Sequence, residues 1–373
     1  MIVRNSDKPS IPPVFLAVLA LVAVFIAYNV YVLLSPSLAS RPPQFTSSGS
    51  NQTLGAILLT ASTCTECFSL DQVATALFPN RFENVSYADQ KGKDLAAKYS
   101  IAKLPALIIF DASKAQDPQI KPLLVSRQDA LILESPVPPY FEVASGEVKG
   151  KVTSFSISSS ANCVHCVKAS DFINEVKSNK VAIQNQELAA DSAKAMELIA
   201  KYNLTFLPAF IFSRDLLEYP QFKASWSILG SVENDDYLVM RQPLPPYVNL
   251  SNSKTEGLVT ATYVTYGSCA TCYNVSVHKA AMRNYNVYIA NETYVDAASL
   301  EGQALVEKYN VTKVPTLLLS KEASVYFALK KAWGAIGSVE PDGVFIFRNF
   351  NTVPGITYWD LTNSSAVKVP ASS

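Results

Sequence analysis

The chain has 373 residues, 49% hydrophobic and 17% charged, which is more than one ordinary domain needs and supplies ample material for packed cores. Its 31 basic and 31 acidic residues balance to a formal net charge of zero, which excludes the basic footprint of a nucleic-acid binder. The apolar content also excludes a chain that is disordered throughout.

Residues 1–13 carry Arg4 and Lys8 and precede the most apolar run, Val14 to Leu34, twenty-one residues without a charge. That length predicts a membrane-spanning helix, and Pro12 and Pro13 fit its first turn. Only Arg41 follows closely on the other side, so the positive charge keeps residues 1–13 in the cytoplasm and sends the rest outside. The expected topology is a single-pass protein of the cell membrane. A cleaved signal peptide is the alternative, with Ser37-Leu38-Ala39 as its cleavage site, but the apolar run is long for one. Residues 35–52, rich in Ser and Pro, read as a stalk. Asn-x-Ser/Thr sequons begin at Asn51, Asn84, Asn203, Asn249, Asn274, Asn291, Asn310 and Asn363. Roughly three are expected by chance, so their number and position fit an externally exposed glycoprotein.

Beyond the stalk one unit is written three times, over residues 53–148, 149–256 and 257–373. ILLTASTCTECF from Ile57, FSISSSANCVHCV from Phe155 and ATYVTYGSCATCY from Ala261 are each a strand-like run into two cysteines separated by two residues. KYSIAKLPALIIF from Lys98, KYNLTFLPAFIFS from Lys201 and KYNVTKVPTLLLS from Lys308 follow, with 41, 45 and 46 residues from first cysteine to proline. PPYFEV, PPYVNL and the looser PGITYWDL close the units. WSILGSVENDD and WGAIGSVEPDG, from Trp226 and Trp333, predict core tryptophans in a hairpin that the first unit lacks. Each unit therefore reads as strand, cysteine pair at a helix start, helix, strand, helix, strand from the proline, then hairpin. This is an α/β sandwich of three tandem domains after one N-terminal transmembrane helix.

A Cys-x-x-Cys pair at a helix start, followed by Lys-Tyr-Asn-Val-x-x-Val-Pro-Thr before an apolar strand, resembles the thioredoxin superfamily. Tandem copies outside the cytoplasm resemble protein disulfide isomerases. The resemblance implies cis peptides before Pro105, Pro208 and Pro315, each beside its own cysteine pair as part of a substrate-binding site. It also implies exchange of thiols and disulfides with client proteins, a redox-recycling partner and no cofactor. The chain departs from the family pattern in two ways. No unit has the Trp-Cys-Gly-Pro-Cys centre, and Leu58, Ile157 and Tyr263 replace the buried acid six residues before the first cysteine. Proton transfer would then need another group or water.

All six cysteines fall in the three motifs, and in an oxidising location each pair is expected to be a disulfide. On the first turn of a helix, two intervening residues bring both sulfurs within reach. Unpaired N–H groups there favour a thiolate on Cys64, Cys163 and Cys269. Cys67, Cys166 and Cys272 are then the resolving partners. His165 beside Cys163 should favour the thiolate and make the second pair the strongest oxidant, while Glu66 should oppose it in the first. Reducing and oxidising Cys-x-x-Cys proteins span roughly 150 mV, or about 7 kcal/mol for two electrons, so such residues can set direction. The alternative is a surface scaffold whose disulfides only stabilise. Zinc is disfavoured because the cysteines come two per unit with no histidine pair nearby. Phe68, Val167 and Tyr273 follow the second cysteines, where a c-type haem requires histidine. His278 is expected on the surface of the helix after its motif.

Overall fold

The runs Ala56–Thr60, Val152–Ile157 and Val259–Thr265 are strands rich in β-branched and aromatic residues. They come from a computed structural model that describes residues 54–371, apart from Asp117, Gln119, Pro136 and 160–162. The predicted span at 14–34 and the stalk at 35–52 lie outside the described residues. Among those described, no helix is long and apolar enough to cross a membrane.

Each of these cysteine strands pairs in parallel with an outer strand, Phe82–Ser86, Ile183–Leu188 or Ile289–Asp296. A parallel neighbour requires a crossover, and the helices Asp71–Leu77, Ala169–Ser178 and Val277–Asn284 supply it. On its other edge each cysteine strand pairs antiparallel with the strand that follows the motif proline: Ala106–Ile109, Ala209–Phe212 or Thr316–Leu319. A hairpin completes each five-stranded sheet, with the same strand order in all three units. The second helices, Gln90–Lys98, Ala193–Lys201 and Leu300–Lys308, pack on the opposite face. In the third unit Tyr263 and Trp333 lie in one core layer, and Val264 and Tyr309 in the other. The architecture is the mixed α/β one expected from the repeat.

The two repeated tryptophans lie one element before the hairpin in which the sequence places them. Trp226 and Trp333 are buried, but they sit on helices, Pro220–Leu229 and Phe327–Ile336, that precede the hairpins. Their indole Nε1–H groups donate to the carbonyls of Ser231 and Ser338, at 3.1 and 2.9 Å, tying helix to hairpin. The residues before each tryptophan, FKAS and ALKKA, are good enough helix formers to carry it out of the strand. The first unit does have the hairpin, Val125–Arg127 with Ala130–Glu134; its sequence has no tryptophan, and its described residues form no such helix before the hairpin. Short 3₁₀ turns, Ala112–Lys114 and Lys121–Leu123, take their place.

The repeated Lys-Tyr block has a structural cause. It ends the second helix, and the next residue, Ser100, Asn203 or Asn310, takes a left-handed conformation with φ of 49°, 49° and 48°. An arginine from the hairpin caps the freed carbonyls. Arg127 bonds those of Tyr99 and Ser100, Arg241 those of Tyr202 and Asn203, and Arg348 those of Tyr309 and Asn310. Each arginine also pairs with a glutamate, Glu134, Glu233 or Glu340, at 2.8, 2.8 and 2.9 Å. The tyrosine hydroxyls bond Asp129, Asp235 and Asp342. This clasp fixes the chain immediately before the motif proline.

Arg348→Met should therefore cost about 1.5–3 kcal/mol, the range for hydrogen bonds to a charged group. Chemical unfolding followed by tryptophan fluorescence measures it, and an unchanged midpoint would show that the cap does not stabilise the third unit.

Candidate functional site

Strand register builds the site. Leu59 pairs with Ala106, Ile157 with Ala209 and Val264 with Thr316, so the end of every cysteine strand lies opposite the residue after the motif proline. The Leu104–Pro105, Leu207–Pro208 and Val314–Pro315 peptides are all cis. Five or six residues beyond the paired position come Cys64, Cys163 and Cys269. Each is disulfide-bonded within its motif, to Cys67, Cys166 and Cys272, across Cα separations of 5.3, 5.4 and 5.4 Å.

Parallel outer strand, central cysteine strand, antiparallel proline strand and hairpin, with helical crossovers and a cis-proline facing a Cys-x-x-Cys turn, decide the fold. Each unit is thioredoxin-like. No protein-family model and no curated protein sequence matches the chain. Among solved structures it is similar to a mutant of the alkylhydroperoxide reductase component AhpF from Enterococcus faecalis. Identity there is 20%, over 46% of this chain and 81% of that one, with a TM-score of 0.16. It is similar to ERdj5 at 11% identity over 71% of this chain and only 36% of that one, with a TM-score of 0.15. Human ERp44 in its zinc-bound form shares 13% identity over 74% of this chain and 84% of that one, with a TM-score of 0.13. The fold assignment rests on the strand order and register of the chain itself.

The cysteines of the thioredoxin-like units do not open a helix, contrary to the sequence reading. They lie in a turn, and the helices begin later, at Asp71, Ala169 and Val277. The N–H of the residue after each second cysteine is drawn sideways instead. Phe68 donates to Pro139, Val167 to Pro246 and Tyr273 to Thr357, at 3.3, 3.3 and 2.8 Å. Pro138–Pro139 and Pro245–Pro246 are two further cis peptides, in the repeated PPY block, that the sequence reading did not find. These bonds dock each turn on a small three-stranded sheet whose first strand ends at the residue before the motif proline. Because a helix-end field fades within one turn, it cannot be the main activator of Cys64, Cys163 or Cys269.

Access differs between units. Cys163 is partly exposed and Cys166 is 8% exposed, whereas in the third unit Cys269 is 9% exposed and Cys272 is the more open. The Thr255 hydroxyl donates to the Cys163 sulfur at 3.5 Å. In the third unit Cys269, Cys272 and Pro315 line one pocket of about 270 Å³ with Tyr266 and Tyr294.

The two tuning residues each bond a side chain of the following unit. Glu66 pairs with Lys151 at 3.1 Å, and His165 Nδ1 lies 2.8 Å from the Tyr288 hydroxyl. A repeated junction places these partners. Gly150 and Gly257 have φ of 80° and 91°. A Cβ on Gly257 would sit 2.7 Å from Pro245 Cβ, so only glycine fits against the cis-proline pair. The hydroxyls of Tyr219 and Tyr326 donate to the Gly150 and Gly257 carbonyls at 2.8 and 2.6 Å, and accept the N–H of Ala182 and Tyr288.

At the position of the family's buried acid, Leu58, Ile157 and Tyr263 are all fully buried. The Tyr263 hydroxyl has no hydrogen-bond partner among the described residues. His278, expected on the surface, is 4% exposed and bonds the Tyr273 hydroxyl at 2.8 Å. Val275, His278 and Met282 fall at helical spacing on one buried face, a signal present in the sequence.

Burial lowers the pKa of His278 from 6.5 to about 4, so the folded chain holds it neutral. Below about pH 6.5 the unfolded chain takes up a proton that the folded one refuses until about pH 4. Stability from this group is thus complete above about pH 6.5 and falls as pH drops toward 4, by on the order of 3 kcal/mol. Unfolding curves between pH 4 and 7 should show a shallower decline for His278→Gln than for wild type. Equal slopes would contradict a neutral buried histidine.

Proposed function

We propose that the chain is a thiol–disulfide oxidoreductase that exchanges disulfides with exported or surface proteins through its Cys-x-x-Cys pairs. The observation that carries this reading is the shared register, which sets a partly accessible disulfide beside a cis-proline strand three times over. The loop that carries the cis-proline, beside the cysteines, is where an extended client segment can lie while its sulfur is attacked. Exchange is a transfer: a thiolate attacks one sulfur of a client disulfide, the other client sulfur leaves as thiolate, and the resolving cysteine then displaces the bound sulfur. The reverse direction oxidises a client dithiol.

In this reading Cys163 is the nucleophile of the second unit and Cys166 its resolving partner. The Thr255 hydroxyl supports a thiolate on Cys163, and the second pair is the most oxidising of the three. Glu66 opposes a thiolate on Cys64 less than its charge alone suggests, because Lys151 pairs with it. A separate redox partner recycles the pairs. The apolar run at 14–34 anchors the array in the cell membrane with the three units outside. Sequons at Asn84, Asn203, Asn274, Asn291, Asn310 and Asn363 are exposed, as glycan attachment there requires.

Cys166→Ser should trap a covalent adduct with a client carrying accessible disulfides, visible on a non-reducing gel and released by dithiothreitol. The Cys163→Ser, Cys166→Ser double variant, with the second pair removed, should lose the adduct formed there. If single resolving-cysteine variants of all three units form no adduct, the disulfides are structural and the array is a surface scaffold.

A further inference from the structure

Among the described residues, the third unit contains a partly buried hydrogen-bond chain that the other two lack. Tyr273 directly follows Cys272. Its N–H donates to the Thr357 carbonyl at 2.8 Å, and its hydroxyl donates to the Pro315 carbonyl, also at 2.8 Å. The same hydroxyl oxygen lies 2.8 Å from His278 Nε2. A phenol has one proton, and here Pro315 receives it. His278 must therefore donate from Nε2–H, which fixes the neutral tautomer protonated at Nε2. Burial on the helix Val277–Asn284, against the Phe347 ring at 4.5 Å, suits that neutral form. Burial likewise holds the Tyr273 phenol above its ordinary pKa, so its proton stays in place.

The chain His278 to Tyr273 to Pro315 joins three parts of the site: the first helix, the cysteine turn and the cis-proline loop. In the other units Phe68 and Val167 stand where Tyr273 does, and Val73 and Phe172 where His278 does. None of those four side chains can carry such a bond. The first and second motifs instead reach the following unit through Glu66 and His165. The third motif has Thr271 at that place, with its hydroxyl 3.8 Å from the Cys269 sulfur.

We propose that Tyr273 and His278 are positioning residues of the third redox pair. They hold Cys272 against the Pro315 loop when the disulfide is open, so that the two sulfurs remain poised to close again. This rests on the exchange reading given above. The reaction concerned is balanced by glutathione: the Cys269/Cys272 dithiol and one glutathione disulfide give the intramolecular disulfide and two glutathione thiols. Holding the dithiol together raises the effective concentration of one sulfur at the other and shifts this equilibrium toward the disulfide.

The test is to equilibrate the full chain in glutathione buffers and read each pair separately by differential alkylation and mass spectrometry. Tyr273→Phe should lower the equilibrium constant for closing Cys269–Cys272 about fivefold, the factor that one net hydrogen bond carries. Cys64–Cys67 and Cys163–Cys166 in the same molecules should not move. His278→Leu should shift the third pair in the same direction, and His278→Gln, which keeps a donor, should return it toward wild type. If the third pair exchanges normally in Tyr273→Phe, or if all three pairs shift together, the positioning role is overturned. If wild-type Cys269–Cys272 does not exchange with glutathione at all, the exchange reading falls for that unit, and the two failures are told apart.

Discussion

The pairing of the cysteine strand with the proline strand is the constraint on which the rest of the structure depends. The two are far apart in sequence, yet the same register recurs in each unit: Leu59 with Ala106, Ile157 with Ala209, Val264 with Thr316. A slip of one residue would send every buried side chain to the opposite face. Such a slip is blocked because both faces of these strands are buried under helices, with Leu58 and Leu59 or Tyr263 and Val264 in separate core layers. The arginine clasp behind the Lys-Tyr block then fixes where the proline strand begins. Cysteine turn and cis-proline meet because both ends of the pairing are pinned.

Around that common frame the units differ in what holds the cysteine turn. The first and second motifs each point their third residue at the next unit, and a glycine gripped by that unit's tyrosine places the contact. The third motif carries its own internal brace, through Tyr273 and His278. One fold thus surrounds its three disulfides with different neighbours, outside the Cys-x-x-Cys tetrapeptide as well as within it.

The repeat, the α/β class and the disulfide pairing were legible because they are written in strong local signals: alternating blocks, an even cysteine count and recurring Lys-Tyr and proline landmarks. The cis-prolines at Pro105, Pro208 and Pro315 were legible only through resemblance. The helix starts were not, because the N–H groups of Phe68, Val167 and Tyr273 are claimed by carbonyls distant in sequence, which no local propensity encodes. The arginine caps were hidden for the same reason, since Arg348 meets the carbonyls of Tyr309 and Asn310 only after the sheet has closed. His278 was misplaced because a polar residue was read alone, when its spacing from Val275 and Met282 already put it on the buried face. His165 and Glu66 sit where the sequence puts them, but their partners lie in the neighbouring units, a tertiary fact beyond the reach of the motif.

The central claim is that this register makes exchange-competent disulfides rather than inert staples. Its most direct test is the reduction potential of each pair in the full chain, poised across a range of redox buffers. The account predicts that one or more pairs titrate within the glutathione range, with Cys163–Cys166 the most oxidising. If all three resist reduction until potentials below about −300 mV, as structural disulfides do, the account is contradicted and the chain is a scaffold.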